Sequence, residues 1–420
     1  MIRFPRALRA LPVVFVFQSA SAAPLRAADV VRRVEEANPE IAEARERTLA
    51  SSARARGQGR LPDPTVGVQL WNAPASNPVA AGEAEMVMYG IEQNLSLPPK
   101  LRLRRSADAA LAGATGEERR RIGNRVRLDA LRAFHEYWRA TQELSVHAEH
   151  LEIATQVRAT AESQYGAGRA RQHDVLRATG DLAKLHADVS TIRQEVASAS
   201  AVLRALMALP GEEDLGVPTI EAALADVPEL AALEKRLPET RPEIRAAGRA
   251  EESAAVSLRL ARLDVWVPDV MVGLTWMDMR MGDDGWMPMI RVNVPLVSRG
   301  RWDARSAARH DLLAARFGRS AVTNTALAEL RDAHARSTGA RDVLDRYTKE
   351  ILPVFEASLE SARAAYVGGN GDFLDLLDAS RSLLDARLSK DRARARYEIA
   401  LADLEYALGE SLSARSEGGR

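Results

Sequence analysis

Two hydrophobic rhythms alternate along the chain. From Lys100 to Tyr165 no proline intervenes, and Glu, Arg, Ala and Leu dominate. At about 1.5 Å per residue this predicts a helix of roughly 95–100 Å. Within it Val126, Ala130, Ala133, Tyr137, Ala140 and Leu144 step by alternating fours and threes. On a second, returning stretch Leu182, Leu185, Val189, Ile192, Val196, Ala199, Leu203 and Leu206 do the same. That spacing predicts coiled-coil seams, and the small residues of the first seam let helices approach closely. A single compact domain cannot bury such a rod, so it must lie against similar rods.

The other rhythm has period two. Val66, Val68 and Leu70 alternate with Thr65, Gly67 and Gln69; Val87, Tyr89, Ile91, Leu95 and Leu97 alternate with Gly90, Glu92, Asn94 and Ser96. Later, Val270, Val272, Leu274 and Trp276 form one face, and Ile290, Val292, Val294 and Leu296 alternate with Arg291, Asn293 and Pro295. Each run is roughly ten residues long, apolar on one side and polar on the other, as in a membrane β-barrel strand. Turn-rich stretches such as Gly282-Asp283-Asp284-Gly285 separate paired strands. Four strands cannot close a barrel, and an open sheet in lipid leaves backbone groups unpaired. Several protomers must therefore share one barrel, with the long helices continuing as a second tube beneath it.

The chain is also duplicated. Asn38-Pro39-Glu40-Ile41 echoes Arg241-Pro242-Glu243-Ile244, and Pro62-Asp63 with Val66-Gly67 echoes Pro268-Asp269 with Val272-Gly273. Tyr165, Gly168, Asp174, Leu176 and Ala178 align without a gap on Tyr366, Gly369, Asp375, Leu377 and Ala379. Such self-similarity predicts two copies of one unit: helix, two strands, very long helix, tight turn, helix. The expected division is a first repeat over 23–210, a Pro-marked linker or equatorial segment over 211–240, a second repeat over 241–410 and a disordered tail over 411–420.

Composition narrows the class. The chain of 420 residues is 46% hydrophobic and 28% charged, too charged for a multi-span helical membrane protein, and its aromatic content of 5% is low for a compact enzyme. Basic and acidic residues balance at 58 each, and the arginines are interspersed with acids, so nothing favours nucleic acid. With no cysteine, disulfides, thiolate sites and a lipidated N-terminal Cys are excluded. Arg3, Arg6 and Arg9, the apolar Leu11 to Phe17 and the small-x-small Ala20-Ser21-Ala22 predict a signal peptide over 1–22. No nucleophile elbow or phosphate loop accompanies His173-Asp174, so no enzyme is expected. His147 and His150 share a helix face, read as solvated for want of a third ligand.

The duplication, the paired strands, the Leu97-Pro98-Pro99-Lys100 exit into a long helix and the twin Tyr-x-x-Gly turns resemble the TolC-type outer-membrane efflux channels over roughly 30–410. The resemblance implies a mainly α fold with a small β part. It implies a homotrimer in outer-membrane lipid, in which each protomer gives four strands to a twelve-stranded β-barrel, and a long-helix α-barrel crosses the periplasm. It implies a periplasmic adaptor and an inner-membrane pump, of resistance-nodulation-division type, as partners, and no cofactor. The turns at Tyr165, Gly168 and Gly369 become the periplasmic end, where adaptors dock. Asp375 and Asp378 become acidic aperture residues, and Tyr366 with Asp174 a closed-state gating contact. The family's best-known member has a gating arginine where this chain has Gly371. The alternatives are a periplasmic coiled-coil adaptor, which carries β-rich flanking domains, or an export-complex scaffold, which lacks amphipathic strands.

Methionines concentrate in the strand regions. Met277, Met279, Met287 and Met289 share the parity of the polar face, as do Met86, Met88 and Met271, while Met281 extends the series into a loop. Thioethers are soft ligands suited to Cu(I) or Ag(I), so these four are candidate pore-lining ligands of a heavy-metal exporter. Flexible packing of a barrel interior by Met is the plainer reading.

Overall fold

The structure, a computed structural model, describes residues 24–211, 214–221, 223–280, 282–294, 299–368 and 370–412. The expected signal peptide, Gly369, Leu296 and most of the expected tail lie outside them.

The chain runs β1 (Leu25–Arg26), α1 (Ala27–Ala37), α2 (Pro39–Gln58), β2 (Thr65–Trp71), β3 (Met86–Leu95), α3 (Pro98–Gly166) and α4 (Gln172–Leu206). It continues through β4 (Pro218–Thr219), α5 (Leu230–Thr240), α6 (Pro242–Trp266), β5 (Asp269–Met279), β6 (Gly285–Asn293) and α7 (Arg299–Arg346). A π-helical turn (Tyr347–Ile351) then leads into α8 (Leu352–Val367), and α9 (Phe373–Leu408) returns.

The duplication is present in the element boundaries. Helix α3 has 69 residues. Adding the offset of 201 that separates Tyr165 from Tyr366 carries its first and last residues onto the start of α7 and the end of α8. The same offset carries Gln172, the start of α4, onto Phe373, the start of α9. The paired helices open alike: Pro39 and Pro242 each stand at a helix start, where a missing N–H costs nothing. The segment expected as a linker over 211–240 is not featureless, since it holds β4 and α5. Helix α5 stands before α6 as α1 stands before α2.

The predicted seams face inward. Val126, Ala130, Tyr137 and Ala140 on α3 are buried, as are Leu185, Val189, Ile192 and Leu203 on α4. Two matching clusters pack the short helices against the rods. Val30 and Val34 of α1 meet Phe134 and Leu203, while Leu233 and Leu237 of α5 meet Leu330, Leu404 and Leu408. Strand β1 pairs in parallel with β4, joining the N-terminal segment to the middle of the chain. Together these form a belt around the rods at mid-height.

The four long strands form one antiparallel sheet, ordered β2-β3-β5-β6. Its register puts Val66 opposite Ile91, Tyr89 opposite Trp276, Ile91 opposite Leu274 and Val270 opposite Val292. The predicted parity therefore holds across all four strands, and one face is apolar but for Gln93 and Asp278. That face is uncovered: Val66 and Ile290 are each 74% exposed. Strands β2 and β6 are its two open edges. No described helix is long and apolar enough to cross a membrane.

Candidate functional site

Two regions at opposite ends of the rods carry the candidate residues, separated by the 69 residues of α3, about 100 Å.

The first is the pair of helix reversals. Gly168 has φ +69°, a left-handed conformation that lets Arg169 N donate to Gln164 O (2.9 Å) and close α3. Asp174 then caps the start of α4: Arg171 N donates to its Oδ2 at 3.0 Å, and His173 Nε2 lies 3.0 Å from its Oδ1. Its carboxylate is thus used as a helix cap. In the second reversal Asp372 Oδ1 accepts from Leu374 N at the head of α9. Gly371 is forced by space: a β-carbon there would come within 2.9 Å of the Ala365 carbonyl carbon and the Tyr366 nitrogen. An arginine at 371 is therefore incompatible with this turn as built.

Tyr366 and Asp174 are brought together within the protomer. Tyr366 packs against Phe373, with ring centroids 5.8 Å apart, in a core with Val157, Ala178 and Leu377. Its Oη is buried and has no hydrogen-bond partner. Burial, then the carboxylates of Asp174 and Asp372, push the Tyr366 pKa up, so the hydroxyl keeps its proton and remains an unused donor. Asp375 and Asp378 are exposed on α9 and take part in no ion pair among the described residues. Being three apart, they share one face of the helix. Tyr165 is also exposed.

Above these turns, α3, α4 and α9 enclose a cavity of about 200 Å³ lined by His147, His150, Asp181, Lys184 and Ser380, among others. The sequence-based placing of the two histidines on a solvated face is corrected here: each is only 6% exposed. His147 Nδ1 lies 2.8 Å from Glu143 O, and His150 Nε2 lies 3.5 Å from Ser380 Oγ. The error arose because one helix face can meet a third rod that periodicity on two rods does not reveal. No described cluster of His and carboxylates could hold a metal ion.

The second region is the polar face of the sheet. Met86 pairs with Met279, Met88 with Met277, Thr275 with Met287 and Gly273 with Met289. All four candidate methionines lie on this face, joined by Met86, Met88 and Met271. Met88 and Thr275 are buried in the single protomer, while on the opposite face Val66, Val68 and Ile290 are exposed. One detail was invisible in the sequence. Arg291 donates through Nη2 to Met289 Sδ (3.4 Å) and through Nη1 to Met271 Sδ (3.6 Å).

Where sheet and rods join, Lys100 is 1% exposed. Its Nζ lies 2.9 Å from Val267 O, 3.0 Å from Asp269 Oδ1 and 2.9 Å from Asp264 Oδ1. The Pro98-Pro99 entry to α3 marked this junction in the sequence, but the buried ammonium did not show.

Paired rods with tight reversals thus carry an amphipathic sheet with two open edges. Residues 220–410 match the family model described as outer membrane efflux protein. The fold is shared with CusC (18% identity, 97% of this chain and 99% of that chain, TM-score 0.78). It is shared also with VceC of Vibrio cholerae (18%, 92% and 97%, 0.74) and the MtrE channel of Neisseria gonorrhoeae in its open state (20%, 92% and 89%, 0.74). No curated protein matches the chain. The second half thus matches an outer membrane efflux protein domain, and the whole chain shares the fold of these three proteins.

Proposed function

We propose that three copies of this chain close one barrel and one helical tunnel, forming the outer-membrane duct of a tripartite exporter. The observation that carries this is the sheet: four strands, apolar on one face, with both edges open. In hydrocarbon each unpaired backbone group costs several kcal/mol, and pairing β6 of one copy with β2 of the next removes every edge. A periplasmic adaptor and an inner-membrane pump, of resistance-nodulation-division type, deliver the cargo at the end bearing Tyr165, Gly168 and Gly369. Asp375 and Asp378 then form two acidic rings at the mouth, which attract cations and repel one another. Tyr366, with its unused hydroxyl, and Asp174 form the closing contact between helix pairs. In detergent the protein is expected to run as a trimer that dissociates only on heating, and to give conductance steps in planar bilayers. A monomer that stays soluble without detergent would rule the reading out.

A soft-metal cargo is supported by the methionine face. Against it stands Arg291, whose positive charge occupies the sulfurs of Met289 and Met271. The discriminating measurement is copper and silver tolerance of a deletion strain complemented with Met277, Met279, Met287 and Met289 all changed to Leu. Unchanged tolerance removes the ligand role.

A further inference from the structure

At the foot of the sheet, on its polar face, four guanidinium groups line one open cavity of about 720 Å³. Arg54 comes from α2, Arg60 from the segment after it, Arg104 from the start of α3 and Arg291 from β6. Asn94, Met271, Asn293 and one acid, Asp269, line the same wall. Met271 pairs with both Asn94 and Arg291 in the ladder, so the wall belongs to the face that turns inward when the barrel closes.

Among the described residues none of the four arginines meets a carboxylate. Arg104 reaches only Ser96 Oγ at 3.5 Å, and Arg291 only the two thioethers. Elsewhere in the chain arginines are commonly paired, as Arg132 with Asp403 or Arg245 with Glu117. Of the acids at this level, Asp269, which lines the same cavity, and Asp264 flank the buried Lys100 ammonium, and the exposed Asp63, next to the lining Pro62, pairs with none of the four arginines among the described residues. Glu92 stands one pleat further out, opposite Gly273. Uncompensated cations in a concave wall focus a positive potential. The planar fork of arginine matches the oxygens of carboxylate, phosphate or sulfonate groups.

We propose that this cluster, repeated around the lumen, is an anion-recognising collar at the base of the barrel, and that the exported solutes carry an oxyanion group. The collar rests on the trimeric channel reading above. It lies about 100 Å from the acidic mouth, far beyond the screening length of about 8 Å in physiological salt, so each end acts on passing solutes independently.

The test uses detergent-purified trimer in planar bilayers under a potassium chloride gradient, with mellitate, a small polycarboxylate, added on the barrel side. Wild type should be blocked by mellitate. In Arg54→Gln/Arg104→Gln/Arg291→Gln the block should weaken at least tenfold, and the reversal potential should shift toward cation selectivity while conductance steps persist. Single Arg54→Gln and Arg104→Gln variants, checked for the heat-dissociable trimer, stand in if the triple variant does not assemble. Steps with unchanged block and unchanged reversal potential overturn the collar but leave the channel. Absence of steps from wild-type trimer overturns the channel reading and the collar with it.

Discussion

At the scale of single residues, the second helix reversal leaves no room for a side chain at Gly371. Gly371→Ala should already destabilise it, because the added carbon meets backbone rather than a movable side chain. Overpacking of this kind costs about 1–3 kcal/mol. A thermal melt of the detergent-solubilised trimer should show the loss, and Gly371→Arg should exceed it. Sequence comparison could register that 371 lacks an arginine; only the turn geometry explains why one is refused. Two buried histidines give a second expectation. Burial, with Arg394 nearby, lowers His135 from 6.5 to about 3, and burial, then His147 and Arg387, lowers His150 to about 4. Both rings are neutral when folded, whereas the unfolded chain takes up protons below about 6.5. Stability is therefore full above pH 6.5 and falls with acid toward pH 4, by about 1.4 kcal/mol per unit and per ring. Melting temperatures at pH 7 and pH 4.5 should differ less in His135→Phe than in wild type.

At the scale of elements, the seams, the strand parity and the duplication were all legible, because each is a repeated pattern along one segment. What joins segments was not. The burial of His147 and His150 required knowing that α9 lies against α3, and the helix inside the expected linker required seeing α5 take the role of α1. The Lys100 knot is of the same kind, since its partners are more than 160 residues away. Lys100→Met should leave Asp264 and Asp269 without their cation. Both are about one-third exposed and can recover some hydration, so the loss should be roughly 2–3 kcal/mol. It should appear as a lower temperature of trimer dissociation, with Lys100→Arg intermediate.

At the scale of the whole molecule, tryptophans frame the apolar band. Trp266 and Trp302 meet edge to face at its inner border, with centroids 5.7 Å apart. Trp276 and Trp286 stack at its outer part, at 6.0 Å. Trp266 and Trp276 are ten residues apart, roughly 25 Å once strand tilt is allowed for, the height of a barrel's lipid-facing band. Variants retaining only Trp286 or only Trp302 should be quenched in vesicles of brominated lipid. One retaining only Trp138, buried in α3, should not. The proposed oligomer is legible only as a need, because open edges call for a partner strand without drawing it.

The two rods are equal in length but not in stiffness. The first runs unbroken from Pro98 to Gly166, whereas the second carries a π-helical turn just ahead of Pro353, where the register at the same offset puts Glu152 in the first. A proline removes a rung from the ladder, and the wide turn absorbs the misfit. Of the two arms, only the one bearing Tyr366 has such a turn among the described residues. In the proposed duct, widening of the mouth is expected to use this turn, and a disulfide bracing it should hold the duct shut while leaving the barrel untouched.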